Sequence, residues 1–198
     1  MATPRDLKDA LGRWTRTLQA SAAELNALDA RLGDGDLGTT LHKCAELVDE
    51  TLPAMPEDFA GIFKACAGAC AKASGSSFGT LMAVAFLTAA RQVGPVDTLD
   101  APAMGRLLHA ATAALAARGG AALGDKTMLD SMDAIAHALD GATPGAALRP
   151  LAVDAAATAV ATFSSKPNRI GRARMFGDKS AGLEDPGMVA VLRMAQGL

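Results

Sequence analysis

The sequence predicts an all-α fold, with eight helices joined in antiparallel, up-and-down order. Three observations predict it. The 198-residue chain is half apolar and alanine-rich, lacks tyrosine and has few β-branched runs, a composition that favours helix. Apolar residues recur at three- and four-residue spacing between capping and breaking residues, and no stretch alternates as a convincing strand. Glycine, hydroxyl and charged residues crowd into every second interhelical loop, and an up-and-down arrangement brings alternate loops to the same end.

The elements follow in order. Thr3-Pro4-Arg5-Asp6 is a helix start, with a capping hydroxyl, proline in the first turn and an acid inside it. Leu7, Leu11, Trp14, Leu18, Leu25 and Leu28 continue it, so the first helix covers 4–28. A second covers 38–50 and is closed by Pro53 and Pro56. Phe59 to Lys72 is the third, with Ile62, Phe63, Cys66 and Cys70 on one face. Leu81 to Val93 is the fourth. Asp100 caps a fifth over 101–118, and Asp125 caps a sixth over 126–139. Pro144 to Phe163 is a seventh, almost all Ala, Val and Leu, whose small faces place it centrally. Asp185-Pro186-Gly187 opens the last helix, to Gln196. This length fits one domain over 1–198.

Charge and cysteine content exclude several classes. A net charge of −2 leaves no nucleic-acid or anionic-membrane footprint. There is no signal peptide and no apolar run long enough to span a bilayer, so a cytoplasmic protein is expected. Three cysteines, an odd number, read as reduced thiols, with Cys66 and Cys70 buried structurally. His42, His109 and His137 are scattered along helices as surface or core positions rather than phosphocarriers.

The informative loops are 29–38, 73–80, 119–125 and 164–186. The first carries Asp29, Asp34 and Asp36 interleaved with Gly33, Gly35 and Gly38. Carboxylates this close repel one another unless a cation lies between them. All-oxygen ligation without His or Cys suits a hard cation such as Mg2+ or Ca2+, and the calcium-loop spacing is not met. Gly38-Thr39-Thr40 then opens a helix, whose free N–H groups and dipole favour phosphate. The plain alternative is an acidic turn capping that helix. The small, hydroxyl-rich turn Ala73 to Thr80 can present several donors to a phosphate. Gly119 to Thr127 looks like a P-loop, but Asp125 stands between Gly124 and Lys126-Thr127 and no strand precedes it. Ser164 to Pro186 is long, aperiodic and dense in Lys166, Arg169, Arg172, Arg174 and Lys179, which fits an anion-binding lid. The remaining loops, 51–58, 94–100 and 140–144, are bland. Chemistry is therefore expected at one mouth of a helical barrel or bundle.

Five ordered motifs resemble one family. Leu28-Asp29 with Gly33-Asp34-Gly35-Asp36-x-Gly38, Ala73-Ser74-Gly75 with Gly79-Thr80, Gly124-Asp125-Lys126-Thr127-Met128-x-Asp130, Gly171-Arg172-Ala173 and Asp185-Pro186-Gly187 are similar to the L subunit of dihydroxyacetone kinase, the DAK2 domain family. The resemblance implies an eight-helix antiparallel barrel with ADP or ATP and two Mg2+ ions at one end. It implies that Asp29, Asp34 and Asp36 ligate the metal and serve catalysis with Arg172. It implies nucleotide contacts from Leu37, Gly38, Thr39, Thr40, Ala73, Ser74, Gly119, Met128, Arg172, Asp185, Pro186 and Gly187. The ketose would sit on a separate K subunit. The donor would be ATP, or a bound ADP recharged by a phosphohistidine carrier, the M subunit of a sugar phosphotransferase system. A short chain without a fused K domain leads us to expect the multi-subunit version. Leu37 departs from the pattern, since the family usually has histidine there. Leucine neither hydrogen-bonds nor titrates, which leaves backbone contacts and opens the acceptor to another small ketose such as erythrulose. A non-enzymatic nucleotide-binding regulatory partner is the rival reading, and apolar faces on several helices also fit a homodimer.

Overall fold

The computed structural model describes residues 1–73, 77–143 and 145–198. Its helices are α1 (Pro4–Leu32), α2 (Leu37–Thr51), α3 (Phe59–Lys72), α4 (Ser77–Gln92), α5 (Ala101–Gly119), α6 (Met128–Asp140), α7 (Leu148–Ser164) and α8 (Pro186–Gly197), with 3₁₀ turns at Leu52–Ala54 and Arg172–Ser180. Each helix packs on the next, and α8 returns to α1, so the eight close a ring. Among the described residues the only β pairing is an isolated bridge between Ala2 and Leu99.

Local chemistry accounts for the starts. Thr3 and Asp6 form a capping box on α1, and Asp58 and Asp100 accept from the Gly61 and Ala103 N–H groups, both at 2.8 Å. Four ends differ from the sequence expectation. α1 runs a turn beyond residue 28, because Leu32 is buried and Gly33 closes the helix by donating to the Asp29 carbonyl. Asp29 therefore sits in a rigid last turn rather than in a loop. α4 begins at Ser77 rather than Leu81. α6 begins at Met128, because Lys126 has φ +63 and cannot be helical. Its cap is Thr127 in a capping box with Asp130, while Asp125 accepts from Ala122 N–H instead. α7 begins at Leu148, and the expected start at Pro144 lies outside the described residues.

The core lies inside the ring. Leu11, Trp14, Leu18 and Leu25 of α1 meet Leu41 and Val48 of α2, Ile62 of α3 and Met188 of α8. A second cluster joins Leu115, Met132, Ile135, Ala156 and Val191. The expectation that α7 is central is wrong. Only Ala152, Ala156, Ala159 and Val160 of it are buried, and its small side chains form one wall with Asp154, Ala157 and Thr158 exposed. α8 is the more enclosed helix and packs on α1, α6 and α7. The three cysteines are buried and free, and burial lifts the Cys66 thiol to about 12. No described helix is long and apolar enough to cross a membrane.

Candidate functional site

A cleft of about 710 Å³ opens at one end of the ring, lined from the ends of α1 and α5, the starts of α2, α4, α6 and α8, and the 170–173 segment. The N-terminal residues Leu37, Ser77, Thr127, Met128, Asp185, Pro186 and Gly187 all line it. The loop parity predicts this convergence. Four helix N-termini at one mouth bring positive dipole ends together, which favour an anion.

Asp29, Asp34 and Asp36 face that mouth. One oxygen from each lies within 4.8 Å of the others. The fold builds the group from the last turn of α1 and the hinge before α2. Asp29 Oδ2 accepts from the Asp36 and Leu37 N–H groups at 3.0 and 3.3 Å, which locks the carboxylate and ties the turn to α1. A Cβ on Gly33 would stand 2.4 Å from Asp29 Oδ1, so only glycine leaves room for that carboxylate. Gly35 turns the chain at φ +76, a region glycine enters without strain. The capping expected of a plain acidic turn is met by Asp29, which accepts from Leu37 N–H at the start of α2, whereas the Asp36 side chain makes no cap bond. Three converging carboxylates with all-oxygen donors fit a hard divalent cation. Arg172 pairs with Asp34 and brings a positive charge to the same rim.

The other expected residues divide. Gly119, Met128, Arg172, Asp185, Pro186 and Gly187 line the cleft with the aspartates and Leu37. Gly38, Thr39, Thr40 and Ala73 do not. A Cβ on Gly38 would lie 1.9 Å from the Ala22 carbonyl oxygen, so this glycine serves the contact between α1 and α2. The Thr39 N–H and Oγ1 are both taken by Asn26, at 3.0 and 2.9 Å. Thr40 is buried, and its methyl lies beside Gly79 of α4. Ala73 caps α3. Ser74 lies outside the described residues. Thr127, from the Gly124–Asp130 motif, also lines the cleft, as do Leu115, Arg118 and Phe78, which carry no motif signal beyond their nearness to loop ends.

The 164–186 segment is held from below by Lys126. Its side chain is fully buried, and Nζ donates to the carbonyls of Ser164, Lys166, Ser180 and Leu183 at 3.1, 2.7, 3.0 and 2.7 Å. Burial lowers the Lys126 pKa, against the pull of Asp185. Asn168 Nδ2 donates to the Lys126 carbonyl and to Asp185 Oδ2, at 2.9 and 2.8 Å. Asp185 Oδ1 accepts from Met188 N–H at 2.8 Å, and burial raises this carboxyl to about 6. The segment expected to be an irregular lid is thus a pinned strap, and Lys126 and Asn168 are the residues that sequence reasoning missed.

The model of the DAK2 domain matches residues 31–198. The chain is 35% identical over 189 residues to Triokinase/FMN cyclase of Rattus norvegicus, covering 91% of this chain and 32% of that protein. It therefore spans about a third of the length of such relatives. It is 32% identical over 181 residues to the PTS-dependent dihydroxyacetone kinase, ADP-binding subunit DhaL, of Lactococcus lactis, covering 89% of this chain and 86% of that one. The crystal structure of the dihydroxyacetone kinase from C. freundii in complex with AMP-PNP and Mg2+ superimposes with a TM-score of 0.75 at 26% identity, over 96% of this chain and 32% of that chain.

Proposed function

The chain belongs to the DAK2 domain family, and from that premise we propose that it is the ADP- or ATP-binding phosphotransferase unit of a small-ketose kinase, acting on dihydroxyacetone held by a separate K subunit. One observation carries the reading: three converging carboxylates and four helix N-termini share the mouth of one cleft. Phosphoryl transfer asks mainly for positioning and charge neutralisation, and no protein nucleophile is needed.

Asp29, Asp34 and Asp36 would hold two Mg2+ ions. Bound magnesium would supply the positive charge that offsets charge building on the transferring phosphoryl group. The positive dipole ends of α2, α4, α6 and α8 at the mouth would draw the phosphates in. Arg172 is exposed, so its pair with Asp34 is weak, and its guanidinium can move to a phosphate oxygen. Leu115, Met128 and Phe78 give the cleft an apolar wall against which a nucleotide base packs. Lys126 holds the strap that carries Arg172 in register.

Two donors have support from relatives. Near full-length similarity to an ADP-binding subunit favours a bound ADP recharged by a phosphohistidine carrier. The AMP-PNP complex of the C. freundii kinase favours ATP, and similarity at 29% identity to a D-erythrulose kinase favours a wider ketose range. Purified chain is mixed with a K subunit and dihydroxyacetone, with ATP in one arm and the carrier system in the other, and triose phosphate is measured. Product in either arm supports the proposal and identifies the donor. Tight Mg2+-dependent nucleotide binding without product in both arms refutes it in favour of a regulatory nucleotide-binding partner.

A further inference from the structure

A second cluster of metal-ligating side chains stands away from the cleft. We infer that His109, Asp133 and His137 form a binding site for a borderline transition-metal ion of the Zn2+ class, bridging α5 and α6. The three residues each bring one donor atom to within 4.8 Å of the others. His109 Nδ1 is 3.8 Å from Asp133 Oδ1, and His137 Nδ1 is 3.5 Å from Asp133 Oδ2. Donors bound tetrahedrally at about 2.0–2.1 Å stand roughly 3.3 Å apart, so small side-chain shifts on two fixed helices complete the geometry. Two imidazoles and one carboxylate suit zinc and its neighbours, and they differ in kind from the hard all-oxygen group at Asp29, Asp34 and Asp36.

A supporting residue makes this more than a surface coincidence. His109 Nε2 lies 2.8 Å from Asp140 Oδ2. A carboxylate accepts, so Nε2 carries the hydrogen and Nδ1 turns its lone pair toward Asp133. This is the carboxylate–histidine arrangement that fixes the tautomer of metal-bound imidazoles. The fold makes room for it, because a Cβ on Gly105 would stand 2.4 Å from Asp140 Oδ1. Glycine four residues before His109 on α5 thus lets Asp140 of α6 dock against α5. The two imidazole rings lie 4.9 Å apart at 88°, their faces not stacked. His137 Nδ1 also lies 2.9 Å from the Asp133 carbonyl, a contact that ligation through Nδ1 gives up. Its side chain is 68% exposed and free to turn.

His137 is nine positions along α6 from Met128 in the cleft, roughly 13 Å down the helix axis, so the site is separate from the nucleotide mouth. A cation here clamps α5 to α6 and binds the folded chain only. It therefore raises the melting temperature without serving phosphoryl transfer.

Isothermal titration of the full chain with ZnCl2, in excess Mg2+ to fill the hard-ion site, tests the inference. One equivalent is expected to bind. Affinity is expected to fall ~10- to 100-fold in Asp140→Asn, the supporting partner, and to vanish in His109→Ala/His137→Ala. Co2+ in place of Zn2+ should give the intense visible bands of a tetrahedral nitrogen–oxygen site in the wild type and not in the double variant. These exposed and half-exposed side chains leave the fold intact, which far-UV circular dichroism checks. An undiminished equivalent of Zn2+ in the double variant, or no equivalent in the wild type, overturns the assignment.

Discussion

Lys126→Met is the most searching perturbation of this structure. It removes a fully buried ammonium that donates to four carbonyls and substitutes an apolar chain of similar length. Two of the four keep another donor: the Ser164 carbonyl still accepts from Gly182 N–H at 2.8 Å, and the Ser180 carbonyl from Leu183 N–H at 3.3 Å. Among the described residues the carbonyls of Lys166 and Leu183 have no second backbone donor. Each buried carbonyl left unpaired costs ~1–3 kcal/mol, and losing a desolvated charge offsets part of that, so a net loss of ~2–4 kcal/mol is expected. For a chain of this size that lowers the melting temperature by ~5–15 °C. The loss should be local before it is global. Hydrogen exchange at the amides of Asn168 and Gly182 should speed up ~30-fold or more, while the α1–α2 core keeps its protection. Nucleotide affinity should fall with it, since Arg172 and Asp185 lie on the strap. A melting temperature within ~1 °C of wild type and undiminished protection over 164–186 would refute the pinned-strap account.

Three further outcomes follow from the site. Asp34→Asn should weaken Mg2+-dependent nucleotide binding at least ~10-fold, about 1.4 kcal/mol by titration calorimetry, and leave the melting temperature within ~2 °C, because the side chain is half exposed. Gly38→Ala should destabilise the fold by ~1–3 kcal/mol in urea unfolding, since its Cβ would press on the Ala22 backbone; an unchanged midpoint would return Gly38 to a ligand-facing role. Asp185 is held at about 6 against an ordinary 3.8, so the folded state binds the extra proton and this group stabilises most at low pH. Its contribution should fall by ~3 kcal/mol as pH rises from about 4 to 6, and Asp185→Asn should flatten stability over that window; a parallel pH profile in the variant would contradict the burial argument.

Much of this was legible because helices announce themselves locally. The capping residues Thr3, Asp58 and Asp100, the period of Leu11, Trp14, Leu18 and Leu25, and the alternation of rich and bland loops together place the chemistry at one end. The aspartate trio is equally local, since Asp29, Asp34 and Asp36 lie within two turns of chain and converge wherever that turn folds. Local rules choose poorly where a residue has two physically consistent jobs. Gly38 and Thr39 suit a phosphate and suit helix packing equally, and only the positions of Ala22 and Asn26 choose between them. Asp125 suits a cap, but the left-handed turn at Lys126 moves the cap to Thr127.

The helical class, the order of the elements, the acidic trio and the end of the molecule where it lies are all readable from local sequence, because periodicity, capping and short-range chemistry depend on neighbours a few residues away. Long-range packing supplies the rest. It closed the ring by packing α8 on α1, and it buried Lys126 among carbonyls 38 to 57 residues away. It also brought His109 of α5 against His137 of α6. Such contacts depend on which faces meet in a dense interior, and no local rule of spacing encodes a partner that distant along the chain.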